Sequence, residues 1–358
     1  MKKLLAVAVV IVMVFALASC GSGSSNGTSG SEGGASSPAP ASDGGTGKIK
    51  IVFAHSSAEH GLMQDIMWDL KDYLETNTDD FEVEIFANSQ LGGDVEVVES
   101  VQANTIQGWF GATSTCTNFM ADTAVFELPF AFNNVDETIA ICDPSSQLWS
   151  TLSDSFKDVG LHLLKLNPGG FRTTYSAKKP ILAPQDLVGF KIRILENENY
   201  RMMWECVGAK PTVVAFSEVY TAVEQGLVEG FDNPPEVTYI NGYCEIFPYA
   251  TETCSISGGG VMVVSQKFYD SLTDGQRAEF DEGYAYALGK AADPKETLDY
   301  YIQASKDDFG TEMYYFTPED VAYCRDLCKP VWDKIQGEVS PEVLNSFNES
   351  LAKIREEA

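Results

Sequence analysis

Apolar and polar positions follow two different periods along the chain, and together they predict an α/β protein. Alternating apolar residues predict strands over 49–55, 81–85 and 105–112. Apolar residues at helical spacing predict a helix over 61–75, and Asp94 is placed to cap a second helix. Because strands and helices alternate, this part of the chain predicts a parallel sheet with helices on both faces.

A second unit with the same alternation follows. Its pattern predicts a strand over 190–194, a helix over 197–207 and a further helix capped by Ser217, after which Pro234-Pro235 breaks the chain. The last part, 274–358, is predicted to be rich in helix. The prolines that interrupt it are Pro294, Pro318, Pro330 and Pro341. Two α/β units with a cleft between them would bind a ligand beyond the carboxyl ends of their strands.

The N-terminal segment has the features of a secretory signal. An apolar run over 4–18 follows two lysines, and its length of roughly 22 Å as a helix is too short for a hydrocarbon core of about 30 Å. The run ends in Leu17-Ala18-Ser19-Cys20, which resembles the lipobox where bacterial lipoproteins are cleaved and acylated on cysteine. A plain cleaved signal with a coincidental cysteine is the alternative. We predict a signal peptide over 1–19 and a lipid-anchored, Gly/Ser-rich tether over 20–48.

Charge restricts what this chain can bind. The formal net charge is −28, with 24 Lys+Arg against 52 Asp+Glu, so most of the surface would repel a nucleic acid. Seven cysteines remain if Cys20 is lipidated; they cannot all pair internally, and small buried hydrophobic cysteines need no partner. His55 and His60 flank Glu59, but no further ligand is near in sequence, so we predict neither a metal site nor a cofactor.

Two arginines are the strongest candidates for binding an anion in so acidic a chain. Arg172 follows Gly169-Gly170-Phe171, and Arg193 lies near the end of an apolar strand. A guanidinium there either pairs with an internal carboxylate or binds an external one, because its planar fork accepts a carboxylate bidentately. Residue type and position leave both alternatives open.

Several motifs in this region resemble one known family in both order and spacing. The chain has Gly-Phe-Arg-Thr-Thr-Tyr-Ser at 170–176 and Pro-Gln-Asp-Leu-Val-Gly-Phe-Lys-Ile-Arg at 184–193. The other matching segments are 179–181, 207–212, 216–230 and 233–234, with 89–93 and 127–130 in the first unit. Over about 49–351 the sequence is similar to the solute-binding proteins of tripartite ATP-independent periplasmic (TRAP) transporters, of the DctP type.

This resemblance implies a two-lobed α/β fold like that of periplasmic binding proteins. Each lobe is expected to be a mixed sheet flanked by helices, with the ligand cleft between the lobes. We assign lobe I to 49–169 plus 259–298 and lobe II to 170–258 plus 299–358. Gly258-Gly259-Gly260 lacks the Lys and Ser/Thr of a phosphate-binding loop, so we interpret it as a crossing between the lobes.

The resemblance also implies roles for particular residues. By analogy with the family, Arg193 forms the bidentate salt bridge to a ligand carboxylate, Arg172 adds hydrogen bonds or charge, Asn233 holds the same carboxylate, and Phe216 packs on the ligand. The chain departs from the family at 231–234, where it has Phe-Asp-Asn-Pro instead of the usual Gln-Glu-Asn-Pro.

Contacts from the first lobe are predicted only from the ends of its strands. They include His55 and Gln90, with Ser56, Thr113 and Ser114 as further candidates. These polar residues follow predicted strands or lie in the turn after one. They would complete the site from the side opposite the two arginines.

The function implied by the resemblance is transport without catalysis. We expect a receptor on the outer face of a bacterial membrane that binds a small organic acid. It would deliver the acid to the small and large TRAP membrane subunits, for uptake driven by an ion gradient and without an ATPase. The alternatives are a lipid-anchored enzyme on a similar scaffold, for which the chain offers no nucleophile with a base, and a receptor for a signalling partner or an ATP-driven importer.

Overall fold

The computed structural model describes residues 47–357, which form two β-sheets flanked by helices. Within this range the strands are β1 (Ile49–Ala54), β2 (Phe81–Phe86), β3 (Gly108–Ala112), β4 (Leu161–Asn167), β5 (Thr173–Ser176), β6 (Lys191–Ile194), β7 (Lys210–Val213), β8 (Gly230–Asn233), β9 (Tyr249–Glu252), β10 (Gly260–Ser265) and β11 (Glu312–Tyr315). The predicted signal peptide, Cys20 and nearly all of the tether lie outside the described residues.

Helices connect most of these strands and form the C-terminal part of the described chain. They are α1 (Leu62–Asn77), α2 (Asp94–Gln102), α3 (Thr113–Cys116), α4 (Val135–Ala140), α5 (Gln147–Asp158), α6 (Glu198–Cys206), α7 (Val219–Glu224), α8 (Pro235–Ile240), α9 (Gln266–Ser271), α10 (Asp274–Lys290), α11 (Pro294–Phe309), α12 (Pro318–Leu327), α13 (Lys329–Glu338) and α14 (Pro341–Glu357). Short 3₁₀ helices occur at Ala121–Glu127, Pro184–Leu187, Phe216–Glu218 and Tyr243–Glu245.

The first sheet has the order β2-β1-β3-β10-β4. Strand β1 pairs in parallel with both β2 and β3, as its alternation with helices predicts. Strand β10 is antiparallel to β3 and β4, because it returns from the second sheet, so the sheet is mixed rather than wholly parallel. Buried apolar residues of α1 and α10, among them Met67, Leu70 and Phe280, cover one face of this sheet.

The second sheet has the order β11-β9-β5-β8-β6-β7. Strands β6 and β8 are parallel, and β5 is antiparallel to β8 and β9. The predicted strand over 190–194 and helix over 197–207 correspond to β6 and α6, and the side chain of Asn197 caps α6 by accepting from the backbone N–H of Tyr200. This sheet, like the first, is mixed and flanked by helices, as expected.

Some local predictions were wrong. Helix α2 is capped by Gly93, while the carboxylate of Asp94 accepts from other side chains. Ser217 lies within a 3₁₀ helix and caps nothing through its side chain. The third strand begins at Gly108, because the amides of Thr105 and Ile106 donate to the carbonyl of Ser100 in α2 and are not available to the sheet. Pro235 occupies the first position of α8, where its missing N–H has no cost.

Two chain segments cross between the sheets side by side. The amide of Gly258 donates to the carbonyl of Gly170 at 2.7 Å, and Phe171 and Ser257 form an isolated antiparallel bridge. A side chain at Gly169 would place its Cβ 2.1 Å from the carbonyl oxygen of Gly258, so the close contact requires glycine there. Residues 253–259 connect β9 of the second sheet to β10 of the first, so Gly258 and Gly259 lie in the crossing that was predicted at 258–260, and Gly260 begins β10.

The C-terminal helices contact both halves of the molecule. Helix α13 packs on α6 and on the 3₁₀ helix Ala121–Glu127, and α14 packs on α5. Pro294, Pro318 and Pro341 each begin a helix rather than interrupting one, because proline is favourable in the first turn. Among the helices described here, none is both long and apolar enough to cross a membrane.

Candidate functional site

A cavity of about 150 Å³ lies between the ends of the two sheets. This volume is roughly ten times that needed by one ordered water molecule, so the cavity can hold a small organic molecule. Residues that follow β1, β3 and β4 line one wall, and residues at the ends of β6 and β8 line the other. The cavity therefore lies beyond the carboxyl ends of strands, where open α/β sheets bind ligands.

The register of the second sheet brings three of the predicted residues together. Thr173 of β5 pairs with Asn233, which ends β8, and Arg172 immediately precedes β5. Strand β6 runs parallel to β8, with Arg193 opposite Phe231. The start of β5 and the ends of β6 and β8 therefore meet at one edge of the sheet, and Arg172, Arg193 and Asn233 all line the cavity.

Arg172 is held by an internal carboxylate. Its Nε donates to Oδ2 of Asp232 at 2.7 Å, its Nη2 donates to the carbonyl of Asp232, and both side chains are buried. Burial alone would lower the pKa of Arg172, but the charge of Asp232 and its hydrogen bond with Arg172 outweigh burial and raise that pKa. Arg172 and Asp232 thus form a buried ion pair with no net charge at the cavity wall.

Arg193 is buried without an internal carboxylate. Its Nε donates to the carbonyl of Val214 at 2.9 Å, and it makes no ion pair with any residue in the described range. Burial, followed by repulsion from Arg172, lowers the pKa of Arg193 to about 10, so the side chain is still charged at neutral pH. A buried charge without a counterion is costly, and an anion bound in the cavity would remove that cost.

Asn233 and Phe216 complete this wall. The Nδ2 of Asn233 is buried and has no hydrogen-bond partner among residues 47–357. The ring of Phe216 lies under the guanidinium of Arg193, 5.7 Å from its Cζ. The wall thus presents a free guanidinium, an unused amide donor and an aromatic face.

Asp94 lies on the opposite wall, and its role in lining the cavity was not predicted. Its Oδ2 accepts from Oγ of Ser56 at 2.8 Å and its Oδ1 from Nε1 of Trp109 at 3.0 Å. Burial raises the pKa of Asp94, while these donors and the charge of Arg193 oppose that rise. The motif at 89–93 forms the turn before α2 and thereby positions Asp94. That motif was the signal that could have identified this residue.

Residues of α8 close the mouth of the cavity. Oε1 of Glu236 accepts from the amide of Leu62 at 2.7 Å. Oδ1 of Asn241, just after α8, accepts from the amide of Ala58 at 3.0 Å, and its Nδ2 donates to Oγ of Ser57 at 3.1 Å. We call these contacts between α8 and the loop after β1 the mouth clasp. Sequence reasoning did not identify Glu236 or Asn241.

Two predicted first-lobe residues are not brought to the cavity. Gln90 has an exposed side chain and lies outside the cavity lining. His55 is buried behind the wall, with Nε2 hydrogen-bonded to Oε1 of Gln64 at 2.5 Å and its ring 4.4 Å from that of Phe110. Burial lowers the pKa of His55 to about 4, so the imidazole is neutral. Ser56 does line the cavity, whereas Thr113 and Ser114 are buried and are not part of its lining.

A second set of polar contacts joins the lobes away from the cavity. Buried Glu127 accepts from Oγ1 of Thr117 at 2.6 Å and from the side-chain amides of Asn197 at 2.8 Å and Asn199 at 2.7 Å. Lys334 of α13 donates to Oδ1 of Asn199 at 2.9 Å. Burial raises the pKa of Glu127 to about 7, although the three donors oppose the rise. We call this group the Glu127 junction.

The cysteines and the metal-binding side chains add no second site to this description. All seven cysteines from Cys116 onward are free thiols, and five of them are buried. The part of the chain that the structure describes contains no group of three or more His, Cys, Asp or Glu residues arranged to hold a metal ion. Among the described residues, the cavity lining includes the buried and unpaired Oδ1 of Asn167 and Nδ2 of Asn233.

Comparison with known proteins agrees with this geometry. A sequence model of bacterial extracellular solute-binding protein family 7, DctP, matches residues 53–338. A curated relative, the C4-dicarboxylate-binding periplasmic protein DctP of Rhodobacter capsulatus, is 28% identical over 282 residues, which cover 76% of this chain and 81% of the relative. The range matched by the family model includes strands of both sheets.

Solved structures share the fold. The TRAP periplasmic solute-binding protein of Anaerococcus prevotii, with bound D-glucuronate, matches with a TM-score of 0.78 at 20% identity, covering 87% of this chain and 99% of that one. The one from Shewanella oneidensis, with bound succinate, gives 0.76 at 24% identity, covering 85% and 100%. The family consists of binding proteins of transport systems, not enzymes. The chain belongs to the DctP family of TRAP-type extracellular solute-binding proteins.

Proposed function

We propose that this protein captures a small organic carboxylate in the cavity between its lobes and delivers it to a TRAP-type membrane permease. The observation that carries the proposal is Arg193, a buried and charged guanidinium with no internal anion among the described residues. Two of its N–H-bearing nitrogens, Nη1 and Nη2, remain to meet the two oxygens of a carboxylate.

The other predicted residues fit supporting roles around that carboxylate. The unpaired Nδ2 of Asn233 supplies an additional donor, and Phe216 supplies an apolar surface for the ligand. Arg172 contributes less charge than its type suggests, because Asp232 already neutralises it. Because Arg193 and Asn233 are buried, each charge-assisted contact with a ligand would be stronger there than at the surface.

The relatives support an acid ligand and leave its identity to experiment. One structural neighbour holds succinate, another D-glucuronate, and the Rhodobacter capsulatus relative is named for C4-dicarboxylates. These ligands share a carboxylate and differ elsewhere. Binding of a carboxylate at Arg193 would therefore be a feature shared with these relatives, and the opposite wall of the cavity would determine which acid binds.

Delivery requires a partner in the membrane, and we infer small and large TRAP subunits that use an ion gradient. The lobes would close on the ligand and present a surface to the permease that differs from the surface of the open form.

Acylation at Cys20 would hold the receptor at the outer face of the membrane through the tether over 20–48. Mass spectrometry of the purified N-terminus tests the acylation, and an unmodified cysteine or cleavage elsewhere would contradict it.

The central test is thermal unfolding of the purified protein against a panel of organic acids. A ligand at 100 times its dissociation constant should stabilise the native state by about 2.7 kcal/mol, which raises the Tm by a few degrees. Arg193→Ala should lose about 2–5 kcal/mol of binding free energy while the protein still folds. A variant that binds the same acid with wild-type affinity would exclude Arg193 as the clamp.

A further inference from the structure

Three cysteines meet where α6 packs on the C-terminal helices. Cys206 is the last residue of α6, Cys324 lies in α12, and Cys328 joins α12 to α13. Cys324 and Cys328 are fully buried, whereas Cys206 is partly exposed and packs against the same hydrophobic core. None of the three lines the ligand cavity, so the proposed function gives these thiols no role.

Cys328 faces the end of α6 on which Cys206 lies. Its Sγ is 3.9 Å from the carbonyl oxygen of Met203, in a buried contact. Met203 and Cys206 are three residues apart and therefore share one face of α6. The thiol of Cys328 donates a hydrogen bond to that of Cys206, so the two side chains are in direct contact.

Cys324 is a poorer partner for Cys328 than Cys206 is. The amide of Cys328 donates to the carbonyl of Cys324 at 3.1 Å, so these two cysteines are one helical turn apart. Residues at that spacing have Cβ atoms about 5–6 Å apart, whereas a disulfide needs about 3.8 Å. A bond between Cys324 and Cys328 would therefore distort the helix, and the pair placed for reaction is Cys206 with Cys328.

Exposure and hydrogen bonding determine which of the two thiols reacts first. The chain belongs to an extracellular family, and disulfides form and persist in oxidising surroundings of that kind. Burial raises the pKa of both thiols, but the hydrogen bond from Cys328 opposes that rise at Cys206. Cys206 is thus the thiol that a reagent in solution can reach and the one whose thiolate has a donor beside it.

We propose that Cys206 and Cys328 are a modification site, oxidised to a disulfide by exchange with a small-molecule disulfide outside the cell. Cys206 loses its proton and attacks one sulfur of the reagent, whose S–S bond breaks and releases one reagent thiol. Cys328 then loses its proton and attacks the sulfur of Cys206 in this mixed disulfide. The bond between Cys206 and Cys328 forms and the second reagent thiol leaves. Two protein thiols are oxidised, and the reagent, reduced to two thiols, takes up both protons.

The disulfide would join α6 to helices that contact the other lobe. Helix α13, which follows Cys328, packs both on α6 and on the first-lobe 3₁₀ helix Ala121–Glu127. The link closes a long loop of chain, and a cross-link of this kind stabilises mainly by restricting the unfolded state. We therefore expect the oxidised protein to unfold at a higher temperature than the reduced protein.

The test starts from purified protein that has been fully reduced and then freed of reductant. It is incubated with oxidised glutathione at about pH 8.5, where more thiolate is present. The remaining thiols are then blocked, and peptides are mapped by mass spectrometry without reduction. We expect a peptide pair linked through Cys206 and Cys328, an intact mass lower by two hydrogen atoms, and a Tm raised by roughly 5 °C. Dithiothreitol should reverse all three changes.

Two substitutions distinguish the proposed pair from its neighbour. Cys206→Ala should lose both the linked peptide and the rise in Tm. Cys324→Ala, the matched control in the same cluster, should keep both. Each variant is compared with its own reduced form, so a loss of packing does not affect the comparison. The proposal is overturned if the wild type forms no link, links Cys324 to Cys328, or stops at a mixed disulfide of glutathione with Cys206, and equally if Cys206→Ala keeps the rise in Tm.

Discussion

Two regions between the lobes bury charged groups, and they differ in how completely those groups are hydrogen-bonded. At the Glu127 junction, a single carboxylate receives donors from Thr117, Asn197 and Asn199. In the cavity, Arg193 and Asn233 keep donors without partners among the described residues. Both regions are polar and screened from water. The first is complete without a ligand, whereas the second needs one.

This difference separates stability from binding. If a buried group relies on one residue for its hydrogen bond or its counter-charge, removing that residue should lower the free energy of unfolding, because the buried group is left without a partner. Removing a residue that binds an external ligand should lower the ligand affinity and hardly change the free energy of unfolding. Substitutions in each region therefore test whether the distinction holds, and Arg172 and Arg193 make the sharpest pair, because they are alike in type and burial.

Arg172→Ala should produce the largest loss of stability. It would leave the Asp232 carboxylate buried without its cation, which typically costs about 3–5 kcal/mol. Urea unfolding without ligand measures the loss. Arg193→Ala is the matched control and should remain within about 1 kcal/mol of wild type, because no internal carboxylate depends on it. Equal losses in the two variants would show that Arg193 is structural.

Glu127→Ala should destabilise the protein by about 3 kcal/mol, because three buried donors lose their acceptor together. The affinity for the ligand should change much less, since Glu127 does not line the cavity. Denaturant unfolding gives the first quantity and calorimetry with the best acid gives the second. A variant that unfolds normally but binds poorly would reverse the roles assigned to the two regions.

The second-sheet wall of the cavity could be predicted from sequence because its residues belong to regular strands within closely spaced motifs. Arg172, Arg193, Asn233 and Phe216 all lie where those motifs and the sheet order place them. The sequence could not show which arginine was paired, because the partner, Asp232, is 60 residues from Arg172 and meets it only through the pairing of β5 with β8.

The first-sheet wall was predicted less well, because its residues lie on turns. Position after a strand suggested Gln90 and His55, but a turn decides which side chain points into the cavity. The positive φ of Ser89 and Gly92 directs the chain so that Asp94 faces the cavity and Gln90 is exposed. Glu236 and Asn241 belong to a contact between lobes that only the folded chain brings together.

The pH dependence of stability should reveal the raised pKa of the buried Glu127 carboxyl group. Its pKa is raised from 4.5 to about 7 in the folded protein, so the unfolded chain releases this proton more readily. The folded state therefore loses stability as pH rises through this window, by about 2 kcal/mol between pH 5 and pH 7. Unfolding curves of wild type and Glu127→Gln across this range isolate the effect, because the variant has no proton to release there. Parallel curves for the two proteins would rule out this titration.

The smallest expected effect is at the mouth clasp. Asn241→Ala removes two hydrogen bonds to the loop after β1, one to Ala58 and one to Ser57. Each such bond contributes about 0.5–1.5 kcal/mol net, and both join the lobes. Because both are only partly buried, their loss together should cost about 1 kcal/mol, so the closed form should become less populated and the ligand affinity should fall about fivefold. Stopped-flow measurement should show the change mainly in a faster release of ligand, since closure retains a ligand that is already bound. Release at the wild-type rate would mean that the clasp does not hold the cavity closed, and that the clamp at Arg193 alone determines how long the ligand stays.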